Sequence, residues 1–329
     1  GHLHTDHELH FGGVDNDGRI GFLDADGFDF DTQHNQLTFI TNEQGDTNQV
    51  IVLGDTSLDS DDYTLFGIAV SANAGALTVN DTGLATTDTL TINASTVDSF
   101  NNNSVAINGF ETVNFSTGTG STTDEQDIST FNVTGDPDSA GLRTAVTLNI
   151  SGKGNFHTSG IITLGTDGSG TGTIDATGLT GTLVMGAATA GATTITGGSG
   201  NDTILGDSHA STLTGGAGDD TITGGAKSDT ISGGAGNDIF NLTEGGTTAS
   251  STADTITGGA GNDTFQGTDA VLDATHVLNG GDGTDSIKLS DLTAVTDAQF
   301  ANKTSIELLT SAATGLSATV DENAQAMGI

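Results

Sequence analysis

The sequence predicts an all-β solenoid, on three observations. A nine-residue unit repeats in register from Gly197, each unit carries one apolar residue at its eighth position, and the composition favours turns and short strands over a large core. Gly accounts for 50 of 329 residues against 1 Pro, aromatics make up 5%, and Cys is absent, so disulfides, thiolate metal sites and a cysteine nucleophile are excluded.

The repeat organises the chain. From Gly197 it reads GGSGNDTIL, GDSHASTLT, GGAGDDTIT, GGAKSDTIS and GGAGNDIFN without a gap, then returns as GGAGNDTFQ at Gly258 and GGDGTDSIK at Gly280. The apolar positions are Ile204, Leu213, Ile222, Ile231, Phe240, Phe265 and Ile287, flanked mostly by Thr or Ser, which suit a pleated surface. The Gly-Gly opening permits the positive φ of a tight turn, so each unit is a turn followed by a three-residue strand, and two units close a coil of 18 residues.

Residues 191–288 resemble the RTX family of secreted calcium-binding proteins, whose G-G-x-G-x-D-U-x nonapeptides form a right-handed parallel β-roll. The resemblance implies calcium between successive turns, held by main-chain carbonyls near positions one and three and by the position-six Asp of adjacent coils. The main-chain ligands it implies here are those of Gly197, Ser199, Gly215, Ala217, Gly233, Ala235, Gly258, Ala260, Gly280 and Asp282. The implied carboxylates are Asp202, Asp220, Asp238, Asp263 and Asp285 on one edge, with Asp229 and Asp254 on the other.

Physical chemistry favours a cation there. Neighbouring coils lie about 4.8 Å apart, and two carboxylates about 5 Å apart repel by about 3 kcal/mol at an effective dielectric near 20. Calcium accepts such a site because it takes oxygen ligands, carboxylate and carbonyl alike. The two edges differ. One reads GGSGND, GGAGDD, GGAGND, GGAGND and GGDGTD once the interruptions near 242–248 and 267–279 are looped out; the other reads GDSHAS, GGAKSD, ASSTAD and an irregular GTDAVLDAT, with Ser211 where an Asp belongs. Calcium is expected to load the first edge well and the second poorly.

Net charge points the same way. With 43 acidic against 6 basic side chains, the formal charge of -37 rules out nucleic acid as a partner and demands cations. No apolar run approaches the roughly 18 to 20 residues that span a bilayer. The sequence carries no G-x-S-x-G elbow and no phosphate-binding glycine loop, and no catalytic residues are expected.

Elsewhere the reading follows chain order. Residues 1–75 form an Asp/His-rich β segment, whose Asp15, Asp17, Asp24, Asp26, Asp29 and Asp31 either hold another calcium or form a solvated acidic loop. Its opening, His2-x-His4-x-Asp6-His7, resembles the H-x-H-x-D-H signature of metallo-β-lactamase-fold hydrolases, which implies zinc on His2, His4, Asp6 and His7. The Gly- and Asp-rich sequence that follows does not provide the strand and helix that such a centre needs, so a zinc hydrolase is the least favoured reading. Residues 76–190, with pieces such as ALTVN, DTLTINAS, FETVNFSTG and AVTLNISG, read as a less regular β-solenoid or a β-sandwich, and resemble the region before the repeats in RTX-type bacterial S-layer and surface proteins. Residues 289–329 form a C-terminal segment with a helix-compatible stretch from Asp291, and the native chain is expected to continue beyond AQAMGI.

The function expected is that of a calcium-stabilised, self-assembling structural protein, secreted to the bacterial cell surface and S-layer-like. Self-association and calcium are the partners expected, with a cell-surface polysaccharide as a candidate anchor. The alternative is an RTX adhesin or a carrier module of a larger secreted enzyme or toxin.

Overall fold

The computed structural model describes residues 36–38, 48–53, 62–68, 76–81, 88–94, 101–118, 125–135, 145–165, 172–186, 192–242, 253–268, 275–290, 294–311 and 317–319. Their short β-rich pieces alternate between two parallel sheets, so each strand pairs with the strands one coil before and after it, as a solenoid requires. Sheet one runs from Gln36–Thr38 through Asp62–Ile68, Thr89–Ala94, Thr112–Ser116, Thr147–Gly152, Gly172–Leu179, Ala192–Thr196, Thr212–Ala217, Thr230–Ala235, Thr255–Ala260 and Val277–Asp282 to Lys303–Thr304. Sheet two runs from Asn48–Leu53 through Ala76–Asp81, Asn101–Asn108, Glu125–Thr134, Asn155–Thr158, Leu183–Met185, Thr203–Leu205, Thr221–Thr223, Ile239–Asn241, Thr264–Gly267 and Ser286–Leu289 to Leu308–Ser311. Both sheets cross the start of the repeats without a break. The region before them is therefore a solenoid in the same stack, and a sandwich is ruled out by the parallel pairing.

The core changes width along the axis. Before the repeats, strands bury two apolar side chains each, as in Leu90 with Ile92, Val105 with Ile107 and Val113 with Phe115, and Phe115, Phe131 and Phe156 meet edge-on or tilted at centroid distances of 5.2–5.9 Å. From Ile195 onward most strands bury only one. Sheet one stacks Ile195, Leu213, Ile231, Ile256 and Leu278, and sheet two stacks Ile204, Ile222, Phe240, Phe265 and Ile287. Each apolar side chain fully buried is worth about 1.5–3 kcal/mol, so a coil that drops two of them forgoes a few kcal/mol and needs another source of cohesion.

The register passes the interruptions intact: Phe240 pairs with Phe265, and Phe265 with Ile287. The glycines that follow each strand make this close stacking feasible. Gly234, at φ 118°, has the backbone of Gly216 against its Cα, where a Cβ would clash.

The stack does not stop at residue 288. The helix-compatible stretch forms a single 3₁₀ turn, Asp297–Phe300, and the rest of that stretch adds rungs: Lys303 pairs with Leu278 and Leu308 with Ser286. Phe300 and Ile306 are buried, so this tail is held by the open end of the core, which overrides its helical preference. The His2–His7 motif and the six N-terminal aspartates lie outside the described residues.

Phe240 and Phe265 lie nearly parallel, 5.0 Å apart, at the thin part of the core. Phe240→Ala should cost about 3–5 kcal/mol, read as a lowered urea midpoint at saturating calcium with the slope unchanged.

Candidate metal centre

Each Asp of the first edge sits immediately before a sheet-two strand and does two jobs. Its Oδ1 accepts the backbone N–H of the matching residue one coil earlier: Leu183 donates to Asp202, Asp202 to Asp220, Asp220 to Asp238, Asp238 to Asp263 and Asp263 to Asp285, all at 2.7–2.8 Å. A second ladder one residue away runs the other way, with Asp219 donating to Asn201, Asn237 to Asp219, Asn262 to Asn237 and Thr284 to Asn262 at 2.7–2.9 Å. The aspartates are at most 1% exposed.

The other oxygen is the informative one. Oδ2 of Asp220, Asp238, Asp263 and Asp285 is buried without a hydrogen-bond partner, a costly state for a carboxylate. Each of these oxygens faces the Cα of the glycine that opens its own unit, together with a carbonyl from the next coil. At Gly215, an added Cβ would overlap Asp220 Oδ2 and crowd the Gly233 carbonyl; at Gly197, Gly233 and Gly258 the pairs are Asp202 with Gly215, Asp238 with Gly258, and Asp263 with Gly280. The missing side chain leaves a small cradle of oxygens. Among the described residues no three His, Cys, Asp or Glu side chains converge, so these sites combine a carboxylate with carbonyls, a hard-oxygen set that fits calcium and not zinc.

Residues 188–221, 214–249 and 248–269 match the family model of the RTX calcium-binding nonapeptide repeat (4 copies). This segment is an RTX calcium-binding repeat array. No curated protein and no solved structure gives a match. RTX repeats bind calcium, and the Asp carboxylates and glycine carbonyls of these cradles would hold it; a bound ion would supply the positive charge that the buried carboxylates lack.

The carbonyls implied as ligands divide. Those of Gly215, Gly233, Gly258 and Gly280 point into the cradles. At position three, the carbonyls of Ala235, Ala260 and Asp282 accept the N–H of Gly218, Gly236 and Gly261 at 2.8 Å, which leaves each one lone pair for a cation. Ser199 and Ala217 donate their N–H groups to Leu179 and Gly198.

Two residues that sequence reasoning missed finish the columns. Beyond the RTX units, Glu307 takes the next Asp place, its Oε2 accepting the Asp285 N–H at 2.8 Å, and the Ser305 carbonyl completes the Gly280 cradle. Its signal was the pattern acid followed by a short strand, Glu307-Leu-Leu-Thr after Asp285-Ser-Ile-Lys. On the second edge Ser211 donates to Asp229 and Asp229 to Asp254, and the ladder ends at His276, whose Nδ1 accepts the Asp254 N–H at 3.1 Å. His276-Val-Leu-Asn-Gly-Gly copies Asp254-Thr-Ile-Thr-Gly-Gly with a single change of ligand type.

The two edges differ in geometry as they do in sequence. The first edge has five cradles; on the second, Asp229 Oδ2 against Gly224 is the one pairing of a carboxylate with an opening glycine among the described residues. Asp238→Asn should therefore raise the calcium midpoint of folding at least severalfold in a titration followed by circular dichroism, whereas Asp254→Asn should shift it much less.

Burial raises the acids. It pushes Asp202, Asp229 and Asp263 from 3.8 up to about 6 and Asp220 up to about 7, against the opposing pull of their backbone hydrogen bonds. Asp238 and Asp285 move the same way. Without metal, the folded roll then holds protons that the unfolded chain has released, so stability is greatest below pH about 4 and falls as pH rises through 6 to 7. The metal-free chain should keep more β signal at pH 4.5 than at pH 7.5. Calcium should restore the signal at pH 7.5 and release protons as it binds. Equal loss of β signal at both pH values would contradict the burial argument.

Proposed function

We propose that the protein works as a calcium-locked structural element outside the cell, self-associating and S-layer-like, and that its role is mechanical and not catalytic. Its calcium-binding array supports an extracellular site, since RTX repeat proteins are typically secreted and free calcium is plentiful there. One observation carries the reading: a single stack runs from Gln36 to Ser311 in unbroken parallel pairing, with the buried carboxylates of the array committed to joining coil to coil. A rod of this kind contacts its surroundings along its whole length, which suits lateral packing.

The test is negative-stain electron microscopy of one sample, once with chelator and once with millimolar calcium. Sheets, tubes or filaments seen only with calcium support the structural role. Single dispersed rods in both conditions would replace it with the adhesin or carrier reading, in which the array is a spacer for another domain.

A further inference from the structure

Sheet one turns two straight files of side chains outward. The first is Thr89, Thr112, Thr147, Thr173, Thr194, Thr212, Thr230 and Thr255, paired rung to rung over eight strands, with Asp62 on the rung before and Val277 on the rung after. The second, two residues further along each strand, is Thr91, Asn114, Asn149, Asp175, Thr196, Thr214, Ser232 and Thr257. All are half-buried or exposed, whereas the residue between them on every strand faces the core.

The nonapeptide supplies Thr212, Thr230 and Thr255 at its seventh position, but it does not supply the threonines before the repeats, and strand propensity alone does not account for their uniformity. The corresponding outward file of sheet two reads Asp127, His157, Val184, Thr203, Thr221, Ile239, Thr264, Ser286 and Leu308, a mixture of charged, apolar and polar groups in equally good strands. Thr89, Thr112, Thr147 and Thr173 all precede the calcium repeats, which match from residue 188. Along the chain, the step from one Thr to the next changes from 35 residues at Thr112 to 18 at Thr212, yet the residue type holds.

Charge is a second observation. The chain has 43 acidic side chains, but these two files hold one, Asp175, whose Oδ1 is occupied by the N–H and hydroxyl of Thr177 at 2.9 and 2.7 Å. Amide bonds brace the second file: Asn149 donates to Asn114 at 2.8 Å and Asn114 to the Thr91 hydroxyl at 3.3 Å. With β-branched side chains stiff at χ1, rungs about 4.8 Å apart and files about 6.6 Å apart, the face is a regular, nearly uncharged grid dominated by hydroxyl and methyl groups.

The grid selects its partner by what its two files lack. They carry no aromatic ring to stack on a sugar, no Arg or Lys for phosphate, and no large side chain to anchor a protein interface. They offer oxygens that hold water at fixed repeats, separated by methyls that water avoids. We propose that this face binds the surface of ice: water ordered along the files has the two-dimensional periodicity that a crystal plane continues, and the scarcity of charge leaves that order little disturbed.

The experiment uses the full chain, calcium-loaded and dilute enough to sediment as a monomer, in a nanolitre osmometer and in an ice-recrystallisation assay. Faceted crystals and a gap between melting and freezing are expected. The gap should fall severalfold in Thr230→Tyr and in Thr214→Tyr and persist in Thr221→Tyr on sheet two, all with wild-type calcium-induced β signal. Unshaped crystals from the wild type, or an equal loss in Thr221→Tyr, would overturn the proposal. If Thr230→Tyr disperses an assembly while the wild type leaves ice growth untouched, the face is a contact between copies of this chain, and ice binding is ruled out.

Discussion

A carboxylate that must serve two masters governs this fold. At every turn of the first edge one oxygen of an Asp closes a backbone hydrogen bond to the coil below, and from Asp220 onward the second oxygen is left buried and without a proton donor. Hydrogen bonding alone holds the coils in register while concentrating like charges along the axis; a bound cation would remove the conflict. Glycine is required at the opening of each unit for the same reason, because any side chain there would occupy the place where the oxygens converge.

This conflict makes sense of the change in core width. Where strands bury two apolar side chains, as at Leu148 with Ile150, the solenoid coheres by burial, and among the described residues no such carboxylate column lies on sheet two. Where the core narrows to one residue, from Ile195, the column begins within a few residues, at Asp202. Apolar burial and metal coordination alternate as the source of cohesion along one continuous architecture. Metal binding that requires the folded cradles would couple the folding of the narrow part to the supply of the ion.

Much of this was legible in the sequence. The period of nine, the phase of its apolar position and the parity of its aspartates marked the coil, the inward column and the edge richer in aspartate, because a side chain at the opening glycine would overlap the carboxylate beside it. The remainder was obscured where chemistry allowed alternatives. Glu307 and His276 continue their ladders with a longer acid and an imidazole, so a search for Asp passes over them. The coils before the repeats vary in length, and their rungs share only alternation and an outward threonine, a pattern that does not separate a solenoid from a sandwich until the partners are known. The stretch around Ala298 has helical composition, but Lys303 and Ile306 find more burial on the open end of the stack than a free helix would provide.

The two counter-running ladders have a consequence for how such a chain grows over generations. One is accepted from the coil below and the other from the coil above, so every coil presents to its copy the same donors and acceptors that it receives. Duplicating a stretch of 18 residues, the step between Asp202 and Asp220, inserts a coil that fits on both sides at once, with no compensating change elsewhere. Length is then nearly a neutral trait, free to drift or to be selected by the distance that the rod must span, while the terminal residues that finish the columns stay single-copy and mark where the tandem ends.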